Sequence, residues 1–185
     1  MEDLQKLRRL YQLKNVKRAN SVGKRKESPA EHTWSCLILA DYFLSRTKKK
    51  LDRLKVYELL LYHDVVEIEA GDVNLLDVKK RKEKELREKE AANTLRKTLP
   101  SPLNTKFIAS FTEFEDCRTP EAKFAKAIDA LDAVIHELDY KKDWKNWTEQ
   151  FLREKKRPWF AEFPELQQAF AEILDYLGKE GYFKP

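Results

Sequence analysis

The sequence predicts an all-α protein, and three observations carry that expectation. Its 185 residues hold only four glycines and seven prolines to interrupt the chain. The stretches between these breakers repeat their apolar residues at 3.6-residue spacing rather than in alternation. Helix-start signatures recur, in which a serine or threonine precedes a proline and an acid. With 42% hydrophobic residues and no internal repeat, the length suits one sizeable core, so residues 1–185 are expected to form a single domain.

A first helix is expected from about Leu4 to Leu13, followed by a basic, polar loop from Lys14 to Glu27. Ser28, Pro29 and Glu31 form a capping box that opens a second helix running to about Arg46. The lysines at 48–50 mark a turn. A third helix spans about Leu51 to Glu69 and stops at Gly71, a residue suited to the left-handed conformation past a helix end. Residues 77–98 read as an exposed helix, supported by Glu83–Arg87 and Glu85–Lys89 pairs one turn apart. Thr119-Pro120-Glu121 opens a helix to about Leu138, and Pro164 and Gly178 bracket the last one. The main core is expected over about 1–140. Helices within 144–178 pack on it through Trp144, Trp147 and Trp159.

Composition excludes several classes of function. No run approaches the roughly 18 apolar residues of a membrane span, and the first residues lack the apolar core of a secretion signal, so a cytoplasmic protein is expected. Cys36 and Cys117 stand far apart, which suggests neither a disulfide framework nor a thiolate zinc site. The net charge is +5 with acids and bases interleaved, which argues against a nucleic-acid binder and mildly favours phosphate-bearing ligands.

Residues 59–72, LLLYHDVVEIEAGD, place a histidine and several acids in an apolar run. On a helix, His63, Asp64 and Glu67 share one face, while Leu59, Leu60, Leu61, Val65, Val66 and Ile68 point all round it. A helix apolar all round is buried, and a buried carboxylate needs a counter-charge, hydrogen bonds or a metal. His32 heads a stripe continued by Cys36, Leu39 and Phe43. Alone it would read as an ordinary core histidine. Asp129 lies on a face of small residues, Ala122, Ala125 and Ala133, that admits close helix approach. His32, His63, Asp64 and Asp129 together would supply two nitrogens and two oxygens to one divalent ion. Asp132 could replace Asp129 by a shift of one turn. His136, about 10 Å along the helix from Asp129, is structural or at the surface. Three histidines are too few for a second metal, so one ion is expected.

The contexts ESPAEHTW, LLLYHDVVEIEAGD and KAIDALD resemble the H…HD…D signature of the HD-domain metal-dependent phosphohydrolases, and most of all their 5′-deoxynucleotidase branch. The resemblance implies that His32, His63, Asp64 and Asp129 hold the metal, that Glu67 orients or deprotonates the attacking water, and that Asp72 binds the sugar hydroxyl. It implies that Arg18 grips the phosphate, with Lys17 and Arg25 as other counterparts in the same loop. A tryptophan next to that arginine excludes a 2′-hydroxyl in the deoxynucleotidases; Ala19 stands here, which leaves the choice of sugar open. The resemblance also carries a homodimer as an expectation.

The chemistry asks for the same groups. A divalent ion lowers the pKa of a bound water by several units, and cations meet the charge of the phosphoryl oxygens. Glu67 lies where it could take the water's proton, or could instead orient His63. The leading expectation is a metal-dependent hydrolase of nucleoside or deoxynucleoside 5′-monophosphates. A hydrolase of hyperphosphorylated guanosine is the runner-up, although Ile68 stands where those enzymes carry a second acid. A non-catalytic binding module, suggested by the lysine-rich 79–90 segment, is the third; Glu67 and Asp72 argue against it, since a structural metal needs neither. Cobalt, manganese, iron, nickel and zinc all suit the ligands.

Overall fold

The computed structural model describes residues 1–183, apart from the side chain of Val78; the last two residues of the expected domain span lie outside the described residues. Its centre is a trio of helices, α2 (Pro29–Leu44), α3 (Arg53–Tyr62) and α7 (Pro120–His136), each packed on the other two. α7 shows why. Thr119 accepts from the Ala122 amide and Pro120 takes the first turn, so the helix starts where the sequence says. Ala122, Ala125, Ala127 and Ala130 are buried along it and let α2 and α3 come close, while Phe124, Ile128 and Leu131 fill the space between. Fully burying one such side chain contributes about 1.5–3 kcal/mol.

Around this trio lie α1 (Glu2–Leu10), α4 (Glu67–Ala70), α5 (Val78–Thr98), α6 (Leu103–Asp116), α8 (Glu149–Lys156) and α9 (Pro164–Lys179). Two apolar clusters form. One joins α2, α3 and α7 to α8, α9 and the 3₁₀ turn Arg157–Phe160. The other joins Leu13, Tyr62 and Val66 to Ala92, Leu95, Phe107 and Phe111. The end of α3 belongs to both, with Leu59 and Leu60 in the first and Tyr62 in the second. His63 therefore follows a strongly anchored helix end.

The expected helix from Leu51 to Glu69 is in fact broken. α3 ends at Tyr62, residues 63–66 form a tight turn, and α4 resumes at Glu67. In the turn, amides bond three residues back rather than four: Val65 to the Tyr62 carbonyl at 3.2 Å and Glu67 to that of Asp64 at 3.0 Å. The Leu60 carbonyl, next acceptor in the α-helical ladder, takes the His63 imidazole at 2.6 Å, and this side-chain competition accompanies the break. Nor is α3 buried all round, since Leu61 is 47% exposed. Gly71 adopts φ 72°, which favours glycine, but its ψ of 158° lies outside the left-handed helical basin.

Other boundaries differ for local reasons. α1 tightens into a 3₁₀ turn, Tyr11–Asn15, before the expected end at Leu13. The 14–27 loop contains a short antiparallel pair, β1 (Ser21–Val22) and β2 (Arg25–Lys26), turned at Gly23 with φ 58°. α6 has no counterpart in the expected elements, although Phe107, Phe111 and Phe114 mark its buried face at one-turn spacing. α9 runs through Gly178; the positive φ of 64° occurs at Gly181 instead. α7 gives way at Glu137 to a 3₁₀ turn through Asp139, and α8 adds a helix within the expected C-terminal region.

On α5 the Glu85–Lys89 pair forms, but Arg87 donates to the Lys80 carbonyl rather than pairing with Glu83. That helix is not simply a solvated face, because Glu88 is buried and pairs with Lys84 at 2.8 Å. Trp144 is buried and donates to the Glu137 carbonyl at 2.7 Å, and Trp147 packs beside it. Trp159 is 42% exposed and rims a cavity instead of joining the core. No helix among the described residues is long and apolar enough to cross a membrane.

Candidate metal centre and its cavity

α2, the turn after α3, and α7 bring four of the expected residues together. His32 sits in the first turn of α2, whose start the Ser28–Glu31 capping box holds in place. Its Nδ1 faces Asp132 Oδ2 at 2.8 Å and its Nε2 faces Asp129 Oδ1 at 3.0 Å. His63 stands against it, with ring centroids 5.5 Å apart, and rests on Phe114. Asp64 Oδ2 lies 3.3 Å from His63 Nε2 and 4.0 Å from His32 Nε2.

These contacts set the tautomers. His63 Nδ1 can only donate to the Leu60 carbonyl, so Nε2 of the neutral ring carries a lone pair, and this buried atom has no hydrogen-bond partner. Facing it is a carboxylate oxygen. Two lone-pair-bearing atoms in such an arrangement attract through a shared proton or a shared metal ion. Likewise Asp132 takes the Nδ1 proton of His32 and leaves Nε2 turned to Asp129. Two cis ligands on bonds of about 2.1 Å stand about 3.0 Å apart, so the donor spacing fits a common divalent ion.

Electrostatics point the same way. Burial and Arg18 oppose a charge on His32, yet Cys36 and the Asp129 and Asp132 carboxylates outweigh them and raise its pKa well above the ordinary imidazole value. Burial also works against ionised Asp64 and Asp129. His63, Arg18 and His32 hold Asp64 below the usual carboxylate range, and the His32 hydrogen bond and charge hold Asp129 there. The centre demands positive charge between its carboxylates.

Glu67 lies at the same floor, buried, with Oε2 unpartnered. Burial, and then Asp64 and Asp72, push its carboxyl up to about 9. Arg18 is 11% exposed and places Nη1 2.9 Å from Asp64 Oδ2 and Nε 3.0 Å from Glu27 Oε2. Asp72 accepts the Ala19 amide at 3.2 Å. All three line a cavity of about 550 Å³, together with Asp64 and Asp129. Lys17 and Arg25 do not line it; they border a separate basic groove beside the hairpin, where Arg25 pairs with Glu31. His136 donates to the Ser21 carbonyl at 2.8 Å and ties α7 to the hairpin.

Several residues at the site were not singled out in the sequence, or were given other roles. Asp132 does not replace Asp129; it fixes the His32 ring from behind and also accepts from Ser35 at 3.0 Å. Cys36 joins His32, His63 and Asp129 in a cluster whose donor atoms all lie within 4.8 Å and could hold a metal. Its Sγ is nearly equidistant from the two His32 ring nitrogens, 3.7 and 3.5 Å, so it flanks the ring rather than lying beyond Nε2. Burial pushes the thiol up to about 12 and keeps it neutral. Arg81, Lys84, Lys126 and Lys156 line the cavity from distant segments, and their spacing in the sequence bears no mark of it.

A helical fold with a mixed histidine and carboxylate centre at the floor of a basic cavity defines a metal-dependent hydrolase of phosphate esters. Residues 10–167 match the family described as HD domain. The chain belongs to the HD-domain family of metal-dependent phosphohydrolases. It is similar to the 5′-deoxynucleotidase HDDC2 of Xenopus laevis, 30% identical over 140 residues that span 74% of this chain and 68% of that protein. The HDDC2 protein of Bos taurus is 31% identical over 74% of this chain and 67% of its own length. Among solved structures, a "Predicted metal-dependent phosphohydrolase" from Magnetospirillum magnetotacticum MS-1 superposes with a TM-score of 0.88 at 28% identity, covering 100% of this chain and 95% of that one. An HD-domain phosphohydrolase of Listeria innocua shares the fold, with a TM-score of 0.66 at 19% identity over 96% of this chain and 86% of its own.

Proposed function

We propose that this chain hydrolyses nucleoside or deoxynucleoside 5′-monophosphates to the nucleoside and inorganic phosphate, with one divalent ion held by His32, His63, Asp64 and Asp129. The carrying observation is the bare, buried Nε2 of His63 facing Asp64 beside an unpaired Glu67. The cavity above them, about 550 Å³, is of a size that takes a small organic ligand. The names of the HDDC2 relatives support a nucleotide as that ligand.

When bound, the ion supplies an acidified water and positive charge for the phosphoryl oxygens. Glu67 accepts the proton of the attacking water as the new phosphorus–oxygen bond forms, and the ester bond breaks toward the 5′-oxygen of the sugar, which takes up a proton. The alternative task for Glu67, orienting His63, has less support, because the Nδ1 of that ring is already bound to Leu60. Asp132 holds the His32 ring and Arg18 steadies Asp64. Asp72, on the cavity wall beside Ala19, accepts a hydrogen bond from a sugar hydroxyl. Ala19 presents no bulk against a 2′-hydroxyl, so both sugars are accepted.

The test is phosphate release from a panel of nucleoside and deoxynucleoside monophosphates, diphosphates and guanosine tetraphosphate, with Co²⁺ or Mn²⁺ present. Release from the monophosphates above an Asp64→Ala control supports the reading. Release from guanosine tetraphosphate alone, or from nothing, overturns it.

A further inference from the structure

Part of the cavity wall comes from residues 142–159, a segment that supplies none of the proposed metal ligands. Lys156 ends α8 and lines the cavity together with Asp64, Glu67 and Asp129. Leu152, one turn earlier, is buried and fixes that end of α8 against the core. Arg81, at the start of α5, lines the same cavity.

Most cations near the floor are already engaged. Lys84 pairs with Glu88 at 2.8 Å, Lys126 with Glu115 at 2.6 Å, and Arg18 with Asp64 and Glu27. Among the described residues, Lys156 and Arg81 form no ion pair within 4.0 Å, nor do Lys26, Lys142, Lys145 and Lys155 on the same cavity; those four are exposed, whereas Lys156 is half-buried. Burial disfavours the Lys156 ammonium, and of its charged neighbours Asp129 attracts it while Arg18 and Arg81 repel it. A half-buried ammonium in that position lacks an anion. Arg18 is already matched by Asp64 and Glu27. Lys156 and Arg81 line the cavity as two positive charges without a carboxylate partner within 4.0 Å. A phosphomonoester dianion carries the matching charge.

We propose that Lys156, with Arg81 beside it, forms the cationic seat for the phosphate of the substrate, and that Arg18 serves chiefly to brace Asp64. This rests on the phosphomonoesterase reading for its substrate, but the seat itself is addressed by inorganic phosphate alone. Lys156 donates through its ammonium to phosphoryl oxygens turned away from the metal ligands. Arg81 lines the same cavity from α5. The sequence separation of the two, on α8 and α5, makes the seat a product of helix packing.

The experiment is calorimetric titration of the metal-loaded protein with inorganic phosphate, for wild type, Lys156→Met, Lys156→Arg and Arg81→Gln, with bound metal measured on each. A charge-assisted hydrogen bond to an ion corresponds to about ten- to a hundredfold in affinity. Lys156→Met should weaken phosphate by that factor with metal content unchanged, Lys156→Arg should recover most of it, and Arg81→Gln should weaken it severalfold. In turnover, Lys156→Met should raise KM more than it lowers kcat. Phosphate affinity at the wild-type level in Lys156→Met overturns the proposal. Should that variant fail to fold, Arg81→Gln decides, because Arg81 is exposed and its unchanged affinity would equally remove the seat. A wild type that binds phosphate with the expected variant pattern yet releases none from any nucleotide refutes the proposed function and keeps the seat.

Discussion

His63 donates through Nδ1 to the carbonyl of Leu60 at 2.6 Å, and this single bond leaves its Nε2 bare, 3.3 Å from Asp64. The local backbone thus selects the tautomer able to ligate. The two residues should therefore act as one unit toward a metal. Protein stripped with a chelator is expected to lose phosphatase activity and to regain it with Co²⁺ or Mn²⁺. Asp64→Ala should show neither bound metal nor rescue. Metal bound by Asp64→Ala at wild-type stoichiometry would contradict the ligand assignment.

Asp132 makes a separate prediction because it accepts the Nδ1 proton of His32. Asparagine there can offer its amide to Nδ1, favouring the opposite tautomer and placing the proton on Nε2, the atom turned toward Asp129. Asp132→Asn should weaken metal binding by about ten- to a hundredfold, measured by competition with a chromophoric chelator. An unchanged affinity would mean that Asp132 only packs.

Glu67 divides binding from turnover. Glu67→Gln should keep the metal and lose about 10²- to 10⁴-fold in kcat. Loss of metal equal to that of Asp64→Ala would refute the division.

The same residue sets a pH dependence in the metal-free protein. Its folded pKa, about 9, lies above the ordinary value near 4.3, so the folded state holds a proton that the unfolded state releases. Its contribution to stability is present below about pH 4.3 and is lost as pH rises toward 9. Melting temperatures of the chelator-treated protein should fall across that window less steeply for Glu67→Gln than for wild type. Parallel slopes would count against the raised pKa.

Ala19 should govern the choice of sugar. Ala19→Trp introduces bulk beside Arg18 and Asp72, and kcat/KM for ribonucleotides should fall by about ten- to a hundredfold relative to deoxyribonucleotides. Equal effects on both sugars would mean that position 19 does not face the 2′-carbon.

Much of the fold was legible because its signals are local. The capping box at Ser28 and the Thr119-Pro120 start are contacts between neighbours in sequence, and both helices begin where expected. α6 was missed although Phe107, Phe111 and Phe114 spell out its face, since β-branched and aromatic residues suit strands as well as helices. The break after Tyr62 could not be read from periodicity, because the sequence pattern does not show that the His63 side chain will take the Leu60 carbonyl. At the site, His32, His63, Asp64, Glu67 and Asp129 were recognisable as chemical types set among apolar residues, a combination that needs a compensating charge. The part played by Asp132 was not, because one carboxylate on α7 looks like another until His32 is seen between the two.

The sequence by itself determined the helical class, the helix starts at Ser28 and Thr119, and the histidines and acids that form the centre, because periodicity, capping and charge in an apolar run depend on residues close along the chain. The tertiary structure decided the tautomer of His32, set by Asp132 on α7, and the placing of Lys156 and Arg81 on one cavity. Those depend on how α2, α5, α7 and α8 pack, and an interaction between residues 75 or 100 positions apart has no energy until the core brings them together.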